Sequence, residues 1–181
     1  MKTADERYSK VAIFLHWLIG VLIVLMIGLG LYMVEIPKGT PDRAVYFNLH
    51  KSIGFTIALL VLVRLLWRVR HTPPALPAAM SKTMVAMAKL SHVLLYVCMV
   101  LMPLSGFAGS QFNKYGVTVF GLFKIPPLAT ESKQMYELLQ SIHETTADVF
   151  IALMVIHVLA ALKHLVVDKD GVFQRMLPGK S

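Results

Sequence analysis

Four apolar segments, each about 20 or more residues long, constrain this chain more than any other feature of its sequence. They lie at about 11–34, 46–67, 84–107 and 143–167. A helix of about 20 apolar residues crosses the ~30 Å hydrocarbon core of a bilayer. Because lipid offers the backbone no hydrogen-bond partners, each segment must be helical. The sequence therefore predicts an all-α membrane protein, a four-transmembrane-helix bundle in which residues 1–181 form a single domain.

Charged residues are scarce and unevenly placed. Only 15% of the residues are charged, against roughly 25% in a typical soluble domain. The net charge of +8 would suggest nucleic-acid binding in a soluble protein. Here the basic residues cluster at the ends of the apolar segments, so no nucleic-acid partner is expected. Twelve of the 18 Lys and Arg residues lie on the side that holds both termini and the second connection. The positive-inside rule therefore predicts both termini in the cytoplasm.

The connections between the apolar segments are rich in turn-forming residues. The first connection, 35–44, contains two prolines and a glycine, and the second, 71–81, contains three prolines that prevent continuous helix. The longest connection, 110–141, is interrupted by Pro126 and Pro127. Its last part, 130–140, predicts a short amphipathic helix in the membrane interface.

Six of the seven histidines lie within or at the ends of the apolar segments. Ionisable side chains are costly in a membrane and usually face the bundle interior. Entering from the cytoplasm, the first segment places His16 near the inner face, and the second, entering from outside, places His50 near the outer face. In the fourth segment His143 is then outer and His157 inner. Their separation of fourteen residues leaves them about 40° apart on one helix face and roughly 21 Å apart along it.

Two histidines at each of two depths predict two bis-histidine haem sites inside the bundle. Zinc sites prefer four ligands close together, whereas two imidazoles on opposite sides of a flat macrocycle suit haem iron. The predicted axial iron ligands are His16 with His157 at the inner level and His50 with His143 at the outer level. The absence of C-x-x-C-H excludes covalent c-type attachment, so both cofactors are expected to be haem b.

Other polar residues near these depths have weaker assignments. Arg64 shares a helix face with His50 at the inner depth, and it is expected either to bind an inner haem propionate or to anchor the inner membrane face. His164, at the inner boundary, is a candidate proton donor or quinone ligand, or an ordinary interfacial histidine. His92 is an alternative inner ligand or a quinone-pocket residue. Asp148 is expected to face away from the haems, as a lysine partner or part of a proton route.

Stretches along nearly the whole chain together resemble the bacterial cytochrome b561 family of small diheme membrane cytochromes. These stretches are Leu15-His16-Trp17, Leu49-His50-Lys51-Ser52-Ile53-Gly54, Val63-Arg64-Leu65-Leu66-Trp67-Arg68 with Thr72-Pro73-Pro74, Ala88-Lys89-Leu90-Ser91-His92, Ile142-His143-Glu144 and Ile156-His157 with His164. The resemblance implies the same two ligand pairs. It also implies a location in the bacterial inner (cytoplasmic) membrane.

The chain looks most similar to the superoxide oxidase, or superoxide:ubiquinone oxidoreductase, branch of that family. This resemblance implies that an electron from superoxide at the outer face passes through both haems to ubiquinone. Lys51 and Lys114 are then candidates for guiding the anion. His164, Lys163 and Arg64 are candidates for the inner quinone side.

Two other functions remain open from the sequence. The first is a cytochrome b membrane-anchor subunit that passes electrons between a partner dehydrogenase or hydrogenase and quinone. The second is a histidine-lined metal or proton transporter. Co-purification of a redox partner identifies the anchor subunit, whereas a free-standing monomer or homodimer that reduces quinone excludes it. A missing haem absorption band would remove the haem assignment and leave the transporter open.

Overall fold

The computed structural model describes residues 7–179, and within them four long helices dominate the fold. Each helix is long and apolar enough to cross a membrane. The helices are α1 (Lys10–Glu35), α2 (Pro41–Arg70), α3 (Lys82–Gln111) and α4 (Lys133–Lys163). A π-helical turn, His164–Asp168, extends α4, and a short 3₁₀ helix, Phe173–Met176, follows it. The predicted four-helix membrane fold is confirmed.

The helices extend beyond the apolar segments that predict them. α2 begins at Pro41, because proline is well suited to the first turn of a helix. The separate amphipathic helix predicted over 130–140 is wrong, since most of those residues form the first turns of α4. The side chain of Ser132 caps α4 by accepting from the Met135 N–H. No glycine or proline follows before the end of α4, so nothing divides it.

The helices pack as two pairs, α1 with α2 and α3 with α4, and the pairs meet where α2 contacts α3. A cluster of buried side chains from all four helices forms the core; it consists of Leu15, Ile19, Ile23, Ile57, Val61, Leu95, Cys98 and Phe150. α4 packs chiefly on α3, and histidines of α1 and α2 meet those of α4 where the two helix pairs face each other.

The connection between α3 and α4 contains an antiparallel hairpin that the sequence did not predict. We call residues 117–125 the outer hairpin; its strands are β1 (Val117–Val119) and β2 (Phe123–Ile125). The Ser52 hydroxyl of α2 holds it by accepting from the Phe120 N–H at 2.8 Å. Gly116, at φ +66°, precedes β1 where a Cβ would collide with the Ile125 carbonyl oxygen. The outer hairpin is thus fixed to α2 close to His50.

Candidate functional site

Both histidine pairs predicted from depth are brought together in the structure. The ring centroids of His16 on α1 and His157 on α4 lie 6.1 Å apart, with an interplanar angle of 74°. The centroids of His50 on α2 and His143 on α4 lie 6.2 Å apart, also at 74°. The structure therefore contains two facing imidazole pairs, both built on α4.

The spacing of each pair suits a metal ion between the rings. A metal–imidazole nitrogen bond is about 2 Å, and the ring centre lies about 1.1 Å behind that nitrogen, so two imidazoles on opposite sides of one metal have centroids roughly 6 Å apart. The observed 6.1 and 6.2 Å match this spacing. The residues therefore fit the iron of a bis-histidine haem at each level.

The proton position on His143 also suits metal binding. Its Nδ1 lies 3.0 Å from the Met102 carbonyl oxygen and 3.2 Å from the Ser105 hydroxyl. Because a carbonyl oxygen can only accept, Nδ1 carries the proton and donates it to Met102. The Nε2 lone pair is then left for a metal, as in most metal-ligating histidines. α3 therefore selects the ligating tautomer of a histidine on α4.

Glycines on neighbouring helices let the outer rings approach closely. A Cβ on Gly106 of α3 would lie 3.1 Å from Cε1 and 3.2 Å from Nδ1 of His143. A Cβ on Gly30 of α1 would lie 3.5 Å from Cε1 of His50, whose buried Nδ1 has no hydrogen-bond partner within residues 7–179. The orientation of the His50 ring therefore depends on packing, whereas a hydrogen bond helps to orient the His143 ring.

Arg64 lies at the inner pair, as predicted. Its contact, however, holds His16 in the tautomer opposite to that of His143, with the proton on Nε2. Its Nη2 is 3.4 Å from His16 Nδ1, and its Nη1 donates to the Ala12 carbonyl at 3.3 Å. A guanidinium only donates, so this contact requires a lone pair on Nδ1 and a proton on Nε2. Metal binding through Nε2 therefore requires Arg64 to turn away from His16, toward a group such as a haem propionate.

His92 is a second neighbour of His157, with ring centroids 5.9 Å apart. Ring spacing alone therefore does not distinguish it from His16 as the inner partner. Helix packing offers a distinction, because α3 lies directly against α4, whereas α1 shares few close backbone contacts with α4. A macrocycle has to hold its two ligand helices apart, so the packing supports His16.

We expect His16→Ala to lose the inner haem and His92→Ala to retain it. The reason is that a macrocycle has to hold its two ligand helices apart, and α3 packs too closely on α4 for that. Haem content by the pyridine haemochrome assay, with low-temperature spectra of the reduced α-bands, measures the outcome. Loss of a haem in His92→Ala with both haems kept in His16→Ala would assign the ligand to α3.

Lys51 and Lys114, the two outer lysines that are candidates for guiding an anion, are brought near each other by the fold. Lys51, beside His50, donates to the Gly116 carbonyl at 3.0 Å and is partly buried. Lys114, only two residues before Gly116, is exposed with its Nζ 5.3 Å from the Tyr115 ring centroid. Exposed Lys124, which sequence analysis did not single out, pairs with Thr118 in the outer hairpin. Three lysines thus lie on the outer side near the His50–His143 pair.

The inner candidates fall into two separate places. His164 opens the π-helical turn, and its Nδ1 is 2.7 Å from Asp170 and 3.3 Å from Asp168. Lys163 forms an ion pair of 2.6 Å with Asp168. Arg64 instead lines a cavity whose described lining residues do not include His164. The three candidates for the inner quinone side therefore do not line one common cavity.

Asp170 was missed because its link to His164 runs through the turn after α4. Partial burial raises the pKa of the Asp170 carboxyl, but hydrogen bonds from the Val172 N–H and from His164 lower it more, so the net shift is downward. Asp170 is therefore held as an acceptor for His164 Nδ1, which leaves His164 Nε2 for another partner.

Asp148 is exposed on α4 and forms no ion pair within residues 7–179, so the predicted lysine partner is not seen.

A profile of the prokaryotic cytochrome b561 family matches residues 7–179. The chain belongs to the prokaryotic cytochrome b561 family. It is therefore a multi-pass bacterial membrane protein of an electron-transfer family that binds haem b, as the resemblance predicted. Membership argues against the transporter function, because the family carries electrons through haem.

Curated relatives cover almost the same length. Cytochrome b561 homolog 2 of Escherichia coli (strain K12) is 34% identical over 97% of this chain and 93% of its own length. Cytochrome b561 homolog 1 of the same organism is 28% identical over 96% of this chain and 98% of its own length. A probable superoxide oxidase, CybB, of Yersinia pestis is 28% identical over 97% of this chain and 98% of its own length.

Proposed function

We propose that this cytochrome binds two b haems and transfers electrons from superoxide at the outer face of the bacterial inner membrane to ubiquinone at the inner face. The haem irons are held by His16 with His157 and by His50 with His143. Residues 1–181 act as one domain with both termini in the cytoplasm. The observation that carries the proposal is the pair of facing imidazoles at about 6 Å centroid spacing at each of two depths.

The overall reaction takes two superoxide anions, one ubiquinone and two protons to two dioxygen molecules and one ubiquinol. When bound, the two haems supply the single-electron steps between donor and quinone. His16 with His157 and His50 with His143 would hold the two groups, which would supply electron transfer without a bond to the donor. The residues of the chain therefore have to gather the anion outside and deliver protons inside.

Gathering the anion is assigned to the lysines near the outer pair. A local cluster of positive charge raises the concentration and the association rate of a small anion. Lys51 is fixed beside His50 by its bond to Gly116, and Lys114 and Lys124 are exposed nearby. The name of the Yersinia pestis relative, a probable superoxide oxidase, supports the same donor.

Delivering protons is assigned to His164. Asp170 accepts from its Nδ1, so His164 Nε2 is the nitrogen that can hydrogen-bond a quinone carbonyl and donate a proton. Histidine suits this role because each of its ring nitrogens can either donate or accept a proton. Lys163 contributes positive charge next to His164, although its ion pair with Asp168 offsets part of it.

Stopped-flow mixing of the purified, haem-loaded protein with superoxide tests this function. We expect rapid haem reduction, followed by reoxidation only when ubiquinone is present. Lys51→Gln is expected to lower the second-order rate of haem reduction about threefold to tenfold and to weaken its dependence on salt, because one fixed charge of the cluster is lost.

Lys133→Gln is the matched control, since Lys133 is another outer lysine, lies at the start of α4 and is largely exposed. Its rate is expected to change less than that of Lys51→Gln. Haems that superoxide leaves oxidised would contradict the proposed donor. Stable co-purification with a dehydrogenase or hydrogenase would then favour the membrane-anchor function.

A further inference from the structure

A large basic cavity lies at the inner ends of α1 and α2, and a smaller neighbouring cavity, which shares Arg7 and Arg175 with it, is lined by Asp170. The volume of the large cavity is about 860 Å³, within the range of ordinary ligand pockets. The linker between α2 and α3 and the segment after α4 complete its walls. We call it the inner basic cavity; it is lined by five arginines, Arg7, Arg64, Arg68, Arg70 and Arg175.

Within the part of the chain that the structure describes, no aspartate or glutamate lines the inner basic cavity. Within residues 7–179, Arg64, Arg68, Arg70 and Arg175 form no ion pair with a carboxylate. Arg68 lies over the Tyr96 ring at 5.5 Å, and Arg175 donates to the Ala75 carbonyl. Several guanidinium groups facing one cavity repel each other, so an anion there is stabilised.

The same cavity has an apolar and aromatic wall, to which Leu15, Trp67, Pro73, Pro74 and Tyr96 contribute. Trp67 is fixed by donating from its indole N–H to the Ser9 hydroxyl at 2.9 Å. Trp17 donates to the Met176 carbonyl at 2.7 Å and so holds the C-terminal segment against α1. A ligand with both an anionic group and an apolar part fits such a lining.

We propose that the inner basic cavity binds the phosphate group of an anionic ligand. Guanidinium groups bind phosphate oxygens in bidentate geometry, which makes arginine clusters suited to this group. Phosphate reaches the cavity either as the headgroup of an anionic phospholipid or as a soluble phosphate. The apolar wall and the position at the inner ends of the membrane helices favour the lipid, because basic pockets on that side of membrane bundles bind acidic headgroups.

The haem-loaded full chain in detergent tests this proposal, with any haem propionates already in place. Native mass spectrometry follows binding of dioleoyl phosphatidylglycerol, and dioleoyl phosphatidylcholine serves as the zwitterionic comparison. We expect Arg70→Gln to weaken binding of the anionic lipid about tenfold or more. Arg70→Lys should recover only part of the loss, because lysine keeps the charge without the planar fork.

Lys89→Gln is the matched control, because Lys89 is an exposed basic residue on the inner side but outside the cavity lining. We expect it to change binding less than about twofold, as for a solvated surface charge. Unchanged Soret absorbance shows that each variant is folded and loaded.

A calorimetric titration with inorganic phosphate separates the two sources. Arginine-dependent binding of the anionic lipid, with phosphate weak, identifies a headgroup site. Arginine-dependent binding of phosphate, with the two lipids equivalent, identifies a soluble ligand. Equal binding of both lipids with no phosphate binding, or equal effects of Arg70→Gln and Lys89→Gln, would overturn the proposal.

Discussion

Replacing His143 by alanine is expected to remove the outer haem and leave the inner one, which lowers the Soret absorbance per chain by about half. His157→Ala is expected to remove the inner haem and leave the outer one. Each substitution deletes the only α4 imidazole at its depth. The nearest other histidine after α4 is His164, which lies seven residues beyond His157. The pyridine haemochrome assay counts the haems, and the reduced α-band identifies which one remains.

His71→Ala is the control for these two variants. His71 is exposed in the linker after α2, where its ring stacks on Trp67 with centroids 3.8 Å apart. It belongs to neither imidazole pair, so both haems should stay bound. Retention of both haems in either α4 variant would show that the imidazole pairs are not the ligands.

Adding a side chain at Gly106 should displace the outer haem without weakening the helix that carries it. Alanine is favoured over glycine inside a helix by about 1 kcal/mol, so α3 itself should not be destabilised. The new Cβ, however, would lie 3.1 Å from the His143 ring, and overpacking of this kind typically costs about 1–3 kcal/mol. We therefore expect Gly106→Ala to bind the outer haem about tenfold more weakly, and Gly106→Leu to lose it.

Gly28→Ala is the matched control, since it is also a helical glycine, and no atom lies within 4 Å of its added Cβ. The Gly28→Ala variant should gain the same helix propensity from alanine and keep both haems. The rate of haem transfer to an excess of apomyoglobin measures retention of the outer haem. Equal rates for Gly106→Ala and Gly28→Ala would mean that the His143 ring has room to move.

The sequence predicts those features that depend on distance along a single helix. The length of the apolar segments determines the four spans, and the fourteen-residue spacing of His143 and His157 places both on one face of α4. Alternation of direction then predicts which histidine each one meets. These rules need no knowledge of packing, and the structure brings both imidazole pairs together.

Features that depend on contacts between helices could not be read from the sequence. Gly20 lies four residues after His16 and Gly54 four residues after His50, a spacing that predicts either room for a haem or close helix packing. An added Cβ at either one meets no histidine ring. Gly106, which does contact a histidine ring, lies on α3 and is 37 positions from His143.

The outer hairpin and the His164–Asp170 contact were missed for related reasons. A three-residue strand carries almost no periodic signal, and β1 is stabilised by Ser52 on a distant helix, which donates to the Thr118 carbonyl. Asp170 reaches His164 only because the π-helical turn redirects the chain after α4. In both cases the structure depends on a contact between separate parts of the chain, which a local sequence pattern does not encode.

The opposite proton positions on His143 and His16 favour an order in the assembly of the proposed two-haem protein. The Met102 carbonyl already keeps the Nε2 lone pair of His143 available, so the His50–His143 level needs no rearrangement of that ring. At the His16–His157 level, the Arg64 guanidinium must first swing aside and an imidazole proton must change nitrogen. On the proposed function, we therefore expect assembly to pass through a one-haem intermediate that is filled at the His50–His143 level.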